Sequence, residues 1–348
     1  MPNKTNIEWT DFTSQLIRYL DSLGRDVWAC VKCSPGCAHC YSEAIAGRFK
    51  RGGPFNRATT EKVTPYFAEA EHRSIVRLKA LAGKRVFIGD MTDVFGEWVP
   101  DELLDLMFAT FAMRPDVTFQ VLAKRADRMA RYFCERDSHL AMTRQFVNFR
   151  EYAEPAGPWP LPNVWLGVSC EDQQRADERI PELLKIPAAV RFLSMEPLLS
   201  AVDLSRHLGF QHEDEIGIEN TDQSRPREQG VPFHDPRVRG IDWVIVGGES
   251  GPNVRPCDLA WIRSIVRQCK QAGAACFVKQ LGGHPIEVEH CGLAPGSIND
   301  SAMDYYLATG GSEPDDIVHR LKLRDRKGGD WSEWPEDLRV REFPKGVA

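Results

Sequence analysis

Four cysteines fall within eleven residues, Cys30-Val31-Lys32-Cys33-Ser34-Pro35-Gly36-Cys37-Ala38-His39-Cys40, and Tyr41 follows directly. Reduced thiols spaced this closely hold a soft metal or an iron–sulfur cluster. The last three fit Cys-x3-Cys-x2-Cys, which supplies three ligands to a four-iron cluster and leaves one iron open to react. A zinc knuckle is the competing reading, because Cys37 and Cys40 with Cys30 or Cys33 and His39 are ligand types that zinc takes. Against it, a closed zinc site usually needs a second ligand pair across a longer loop, and no further Cys-x2-Cys follows. Four unliganded thiols fit least. Cys134, Cys257, Cys269, Cys276 and Cys291 are scattered singly and are expected to be small buried or half-buried side chains.

These groups need a scaffold. Short β-branched and aromatic runs alternate with helical patterns, which predicts a parallel α/β fold. Strands are expected over residues 26–30, 85–90, 117–124, 163–170, 190–196, 242–247 and 275–280. Val117-Thr118-Phe119-Gln120-Val121-Leu122 and Trp243-Val244-Ile245-Val246 are apolar on both faces, as strands covered on both sides are. Pro100, Asp101 and Glu102 open a helix whose Leu103, Leu104, Met107, Phe108 and Phe111 form one stripe. Asp258 caps a second helix, which carries Ile262, Ile265, Val266 and Cys269 and stops near Gly273. About six or seven βα units predict a full or partial (β/α) barrel of the TIM type; a doubly wound open sheet is the alternative. The barrel is expected over residues 1–284, with a polar insertion at about 205–240, and residues 285–348 are expected to pack on it as an irregular cap.

Active sites of such folds collect at the C-terminal ends of the strands. Those ends read Asp90-Met91-Thr92-Asp93, Lys124-Arg125, Ser169-Cys170-Glu171-Asp172, Glu196-Pro197, Gly247-Gly248-Glu249-Ser250-Gly251 and Lys279-Gln280. One polar strand end is ordinarily the start of a loop. A succession of them beside a cysteine loop predicts one shared pocket. Gly247 and Gly248 would let the backbone approach a ligand, and Glu249 suits an ammonium or a ribose hydroxyl. Neither a dinucleotide GxGxxG, a Walker lysine nor a zinc-protease His-Glu-x-x-His is present.

Lys and Arg number 44 against 50 Asp and Glu, a formal charge of −6, which excludes a uniformly basic surface. No signal-peptide core and no run approaching a membrane span occurs, so a soluble cytoplasmic protein is expected. Arg48, Lys50 and Arg51 follow the cysteine loop, Lys124, Arg125, Arg128 and Arg131 follow the third expected strand, and residues 319–327 add a basic run. Around a strand-end mouth these predict a nucleic acid or nucleotide substrate, with solvated helix faces as the alternative.

The residues also carry a resemblance. Ile7-Glu8-Trp9-Thr10, Ser34-Pro35-Gly36-Cys37-Ala38-His39-Cys40-Tyr41, Asp90-Met91-Thr92-Asp93-Val94-Phe95, Phe119-Gln120-Val121-Leu122-Ala123-Lys124-Arg125, Trp165-Leu166-Gly167-Val168-Ser169, Glu196-Pro197-Leu198 and Trp243-Val244-Ile245-Val246-Gly247-Gly248-Glu249-Ser250-Gly251 resemble a phage- and prophage-associated family. That family is of unknown function, carries a three-cysteine motif and is sometimes found beside a three-Cys-motif partner protein. The likeness runs over residues 7–283 and touches Asp325-Arg326-Lys327-Gly328-Gly329-Asp330. A three-cysteine loop on a (β/α) barrel is in turn similar to the radical S-adenosylmethionine (SAM) superfamily, with spore photoproduct lyase as a more distant relative.

The resemblance implies a [4Fe–4S] cluster on three thiolates, SAM on the open iron, and a 5′-deoxyadenosyl radical made with one electron from an external donor. Cys37 and Cys40 are common ligands; the family pattern adds Cys30, the superfamily spacing Cys33. His39 stands where the superfamily often has an aromatic residue against the adenine, with Tyr41 beside it. Asp90 and Asp93 would meet the methionyl ammonium or ribose, Ser169 and Glu171 the nucleoside, and Glu249 a hydroxyl or ammonium. Glu196, Gly247 and Gly248 would share that pocket. Cys170 has two readings, a hydrogen-atom donor to a substrate radical or a small buried side chain. The rival class is a zinc-stabilised module that binds nucleic acid or a partner protein without catalysis. The many strand-end acids speak against a phosphate-binding surface.

Overall fold

The structure, a computed structural model, describes residues 1–135, 137, 141–143, 145, 159–208, 240–289 and 317–344. The chain runs through β1 (Asn3–Lys4), β2 (Phe12–Ser14), β3 (Ile17–Leu20), β4 (Asp26–Val27), β5 (Thr64–Phe67), β6 (Arg85–Ile88) and β7 (Thr118–Ala123). It continues through β8 (Val164–Ser169), β9 (Val190–Met195), β10 (Trp243–Gly247), β11 (Cys257–Asp258), β12 (Ala275–Gln280), β13 (Pro285–Glu289) and β14 (Ile317–Arg320). Eight of these form one mixed, mostly parallel sheet in the order β1-β2-β6-β7-β8-β9-β10-β12. Every neighbour from β2 onward is parallel, and only β1 is antiparallel. The order is sequential, so the reversal that defines a doubly wound sheet is missing.

The sheet curls. Phe87 on β6 and Trp243 on β10 are four strand spacings apart in the sheet order, about 19 Å across a flat sheet. Yet the Trp9 indole lies 4.9 Å from the first ring and 6.2 Å from the second. This concave face is an aromatic cluster of Trp9, Phe87, Trp165, Phe192, Trp243 and Phe277. Phe343 extends it: its ring is 5.3 Å from Phe277, and the Arg85 guanidinium lies 4.1 Å over it.

No pairing among the described residues joins β12 to β1 or β2, so no closed barrel forms. Both edges are occupied already. β1 covers β2, and residues 340–342 run antiparallel beside β12, where the Val278 N–H donates to Val340 O and the Glu342 N–H to Cys276 O, both 2.8 Å. The convex face packs on helices, including Asp101–Ala112, Ala126–Cys134, Gln173–Lys185 and Leu259–Ala272. The last begins as expected with Asp258 accepting from the Ala260 N–H at 2.9 Å, and ends on left-handed Gly273.

Six of the seven expected strands are present within two residues of their expected bounds. The first is displaced. Residues 26–27 pair antiparallel with β3 in a separate three-stranded sheet ordered β4-β3-β5, and the first parallel strand is Phe12–Ser14. A tight turn returns the chain from β3 to β4, with the Gly24 N–H donating to Asp21 O at 2.9 Å. The cysteine loop therefore follows an antiparallel excursion and not a strand of the main sheet.

Residues 285–289 and 317–320 form an antiparallel pair, and the tail then folds through two short 3-10 turns. The turn at 325–330 docks on the end of β12: the Leu281 N–H donates to Gly328 O, and a Cβ at left-handed Gly328 would stand 2.6 Å from Gly282 O. Most of the expected polar insertion lies outside the described residues, as do Cys291 and the rest of residues 290–316 in the expected cap. Cys257, Cys269 and Cys276 are buried as expected, whereas Cys134, at the end of its helix, is exposed.

Candidate functional site

The cysteine loop leaves β4, makes a 3-10 turn at Pro35–Cys37 and enters helix Tyr41–Arg48 with Cys40 as its N-cap. All four thiols are free; Cys33 is exposed and the other three are half-buried. Ser34 Oγ lies 3.8 Å from the Cys37 sulfur. The neighbouring Cys33 thiol, helped by Lys124 and by backbone N–H donors and opposed by burial, lowers the Cys37 thiol, while Cys33 is pushed up. Burial, with Asp93 nearby, raises Cys30 to about 11.

Among the described residues, no three Cys, His, Asp or Glu side chains stand close enough together to hold a metal ion. The donor set fits a thiolate-held centre in its chemistry: four sulfurs on one loop, with Lys124 and Arg125 acting on them electrostatically. To hold one, the loop would have to draw three of those sulfurs together.

Side chains from three strand ends tie the loop down. Arg125, just after β7, donates to Val31 O at 2.8 Å. Its guanidinium also meets Asp93 at 3.2 Å and lies 4.6 Å over the Trp98 ring. Glu171, just after β8, is fully buried. It accepts the Gly36 N–H and an Arg179 N–H, each at 3.0 Å, and lies 3.7 Å from Lys124 Nζ. Burial alone would raise this carboxyl, but Lys124, Arg179 and the hydrogen bonds from Ser34 and Gly36 hold it at about 2. A Cβ on Gly36 would stand 2.9 Å from Glu171 Oε1, so only glycine lets the loop approach this closely.

Glu249, after β10, is gripped by Arg255 through its backbone N–H at 2.9 Å, its Nε at 3.0 Å and its Nη2. Arg255 Nη1 in turn donates to Pro35 O at 3.0 Å. His39 Nδ1 stands 3.0 Å from Glu249 Oε2. Burial opposes ionisation, yet the Arg255 and His39 hydrogen bonds bring Glu249 down to about 2.

The remaining expected residues divide. Glu196 accepts from Lys279 Nζ at 2.6 Å and from Gln280 Nε2 at 3.0 Å. Among the described residues, Gln15 is the one side chain that hydrogen-bonds Asp90, and burial raises Asp90 to about 6. Its carbonyl accepts from the Tyr41 hydroxyl at 2.5 Å and the Ser42 hydroxyl at 2.8 Å. Tyr41 keeps 52% of its surface exposed while its hydroxyl turns inward to Asp90. Ser169 is buried, and its carbonyl accepts from Arg179 at 2.7 Å. The Gly248 N–H is already given to Gln280 O at 3.1 Å, and a Cβ there would meet Leu281 O at 2.4 Å. These glycines serve close strand packing. Cys170 is buried in the convex-face core, with its Sγ 3.9 Å from Arg175 O and its thiol raised by burial to about 12. That placement agrees with the small buried side chain.

Sequence reading missed Arg179 and Arg255. Arg179 falls on the buried side of its helix with Ala176, Ile180 and Leu183. An arginine in an apolar stripe demands a carboxylate partner, and that was the available signal. Arg255 lies in an irregular segment, where no periodicity marks it. Several expected mouth cations are also engaged: Arg51 pairs with Asp26, Arg128 with Asp101 and Arg131 with Glu97. A cavity of about 390 Å³ lies elsewhere, at the N-terminal strand ends, lined by Lys84, Arg85, Asp116, Trp165 and Phe343 among others.

A curled parallel sheet with sequential strand order, carrying a thiol-rich loop tied to its C-terminal strand ends, defines the class of this molecule. The chain belongs to the family described as "Protein of unknown function (DUF5131)", whose model matches residues 4–324. No curated protein and no solved structure matches it. No helix among the described residues is long and apolar enough to cross a membrane.

Proposed function

We propose that the chain is a radical-SAM-type enzyme of cytoplasmic, phage-associated origin, built on a partial (β/α) barrel and acting on a nucleotide or nucleic acid. The observation that carries this reading is the four-thiol loop, bound from three strand ends by Arg125, Glu171 and Arg255. Cys37, Cys40 and one of Cys30 and Cys33 would hold a [4Fe–4S] cluster, with SAM as the second cofactor. Bound together, these supply one-electron cleavage of a carbon–sulfur bond, driven by an external electron donor.

The chain's own residues supply position and charge. Lys124 and Arg125 offset thiolate charge, and Asp93, Glu171 and Glu249 keep the neighbouring cations in place. Asp90, which among the described side chains is hydrogen-bonded by the uncharged Gln15, and Tyr41, whose ring is exposed, are the groups best placed to meet a ligand. Arg48, at the exposed end of helix Tyr41–Arg48, and Lys50 on the turn after it offer phosphate contacts. A three-Cys-motif partner protein is a further component that this reading admits.

The test is anaerobic reconstitution with iron and sulfide, followed by SAM and dithionite. About four iron atoms per chain and formation of 5′-deoxyadenosine are expected. Both should be lost in Cys37→Ala and Cys40→Ala, and whichever of Cys30→Ala and Cys33→Ala also loses them identifies the third ligand. A colourless protein with stoichiometric zinc and no product would replace this reading with the zinc-stabilised binding module.

A further inference from the structure

Among the described residues, three Phe, Tyr or Trp side chains are exposed: Tyr41, Phe49 and Trp331. Trp331 has the Arg341 guanidinium 5.2 Å over its ring. The other two stand at the two ends of helix Tyr41–Arg48, about 12 Å apart along its axis. A single exposed ring is ordinary on a protein surface. Here the surface between the two rings is also built in an uncommon way. Tyr41, Ala44, Gly47 and Arg48 are all exposed and lie on one face of the helix, while Ser42 and Ala46 are buried. Glycine weakens a helix relative to alanine, yet a Cβ on Gly47 would meet nothing within 4 Å. Packing within the protein gives no reason for glycine there. A ligand lying along the helix does.

The charge around Phe49 says which kind of ligand. Lys50 sits in the left-handed region, with φ 54°, and its N–H donates to Gly47 O at 3.2 Å, so the chain turns sharply at an exposed tip. The Arg48 guanidinium lies 5.7 Å from the Phe49 ring centroid. The acids nearest in sequence are engaged elsewhere. Glu43 holds Lys32 at 2.6 Å and the Phe55 N–H at 2.9 Å, and Asp26 holds Arg18 at 2.6 Å as well as Arg51. Glu61 faces Arg57 at 3.6 Å. Arg48 and Lys50 are thus left without an acidic partner among the described residues. A free ring beside two such cations suits an unpaired base and its flanking phosphates. A duplex keeps its base faces inside its own stack, so it would gain the charge and not the ring.

We propose that helix Tyr41–Arg48 and the tip after it are a docking track for a single strand of nucleic acid. One unpaired base stacks on Phe49, and Arg48 and Lys50 take the phosphates beside it. The strand then runs over Ala44 and Gly47 toward Tyr41, which follows Cys40 directly in the chain. This rests on the nucleotide or nucleic acid substrate proposed above and narrows it to an unpaired strand.

The experiment is fluorescence anisotropy on the full-length protein with labelled oligothymidylate and oligouridylate of about 16 nucleotides. Binding of at least one strand is expected, and a preference between them names the sugar. A duplex of the same length should bind about tenfold more weakly. Phe49→Ala should weaken strand binding about tenfold with an unchanged circular dichroism spectrum. Gly47→Leu should weaken it by a similar factor while its melting temperature holds or rises. Arg48→Gln and Lys50→Gln should each lower the slope of log Kd against log salt by about 0.7. Leu23→Ala, at an exposed position in the turn between β3 and β4, should change neither affinity nor slope. No binding of either strand, equal binding of the duplex, or wild-type affinity in Phe49→Ala would each overturn the proposal. Displacement by polyglutamate as readily as by unlabelled oligothymidylate would also overturn it, in favour of an acidic protein partner. The assay needs no cluster, so the two readings fail separately. Strand binding without 5′-deoxyadenosine formation keeps the track and loses the radical chemistry, and 5′-deoxyadenosine without strand binding does the reverse.

Discussion

Glu171 has no surface in contact with solvent, and its two carboxylate oxygens are spent on Gly36 and Arg179. Removing one member of a buried ion pair leaves its partner's charge uncompensated. Glu171→Gln keeps the shape and strands Arg179 and Lys124, so it should cost about 3 kcal/mol at pH 7 in urea unfolding. Its acid dependence has a definite sign. The folded value of about 2 lies below the ordinary 4.5, so the stabilisation is full above pH 4.5 and lost as pH falls through 2. Wild type and variant should therefore converge over that window. Asp90 behaves oppositely. Its value of about 6 lies above the ordinary 3.8, so its ionised form weakens the fold as pH rises from 3.8 to 6. Asp90→Asn should raise the melting temperature at pH 8 and leave it nearly unchanged at pH 3.

Strands and loops show what the sequence made legible. β7 and β10 stood out because runs such as Thr118-Phe119-Gln120-Val121 and Trp243-Val244-Ile245-Val246 are apolar enough to be covered on both sides. Phe12-Thr13-Ser14 is three residues long and two of them are hydroxylated, so no period exposes it as the first parallel strand. Asp26 and Val27 looked like that strand because Trp28 and Ala29 extend an apolar run, although the run soon leaves the sheet. The cysteine loop was visible as spacing. The acids beside it were visible as strand ends, but their roles were not, because Arg179 and Arg255 that claim two of them come from a helix and an irregular segment. One element-level contact also carries a test. The ring of Phe192 lies across Gly167 on β8, where a Cβ would be 2.6 Å from ring atoms. Gly167→Ala should destabilise by about 1–3 kcal/mol, and Phe192→Leu in the same chain should recover part of the loss, measured as a double-mutant cycle.

Across the described residues, the main sheet is a ribbon with residues 3–4 along one border and residues 340–342 along the other. Residues 340–342 cover β12, and Glu342 O accepts from Trp243 Nε1 at 2.9 Å. A chain ended at Arg339 would bare that border and uncover Trp243 and Phe277. Unpaired strand edges recruit other chains, so this truncation should self-associate in sedimentation runs at concentrations where the full chain does not.

Trp9 gives the molecule a timetable as well as a shape. It is synthesised well before Phe192 and Trp243, against which its ring rests, and before Phe343, which packs on Trp243. Until then the growing chain carries a half-built aromatic hollow with nothing to fill it. Exposed surface of that kind is what holding chaperones recognise. Completion of the hollow therefore waits until the segment around Phe343 can meet the one that carries Trp9.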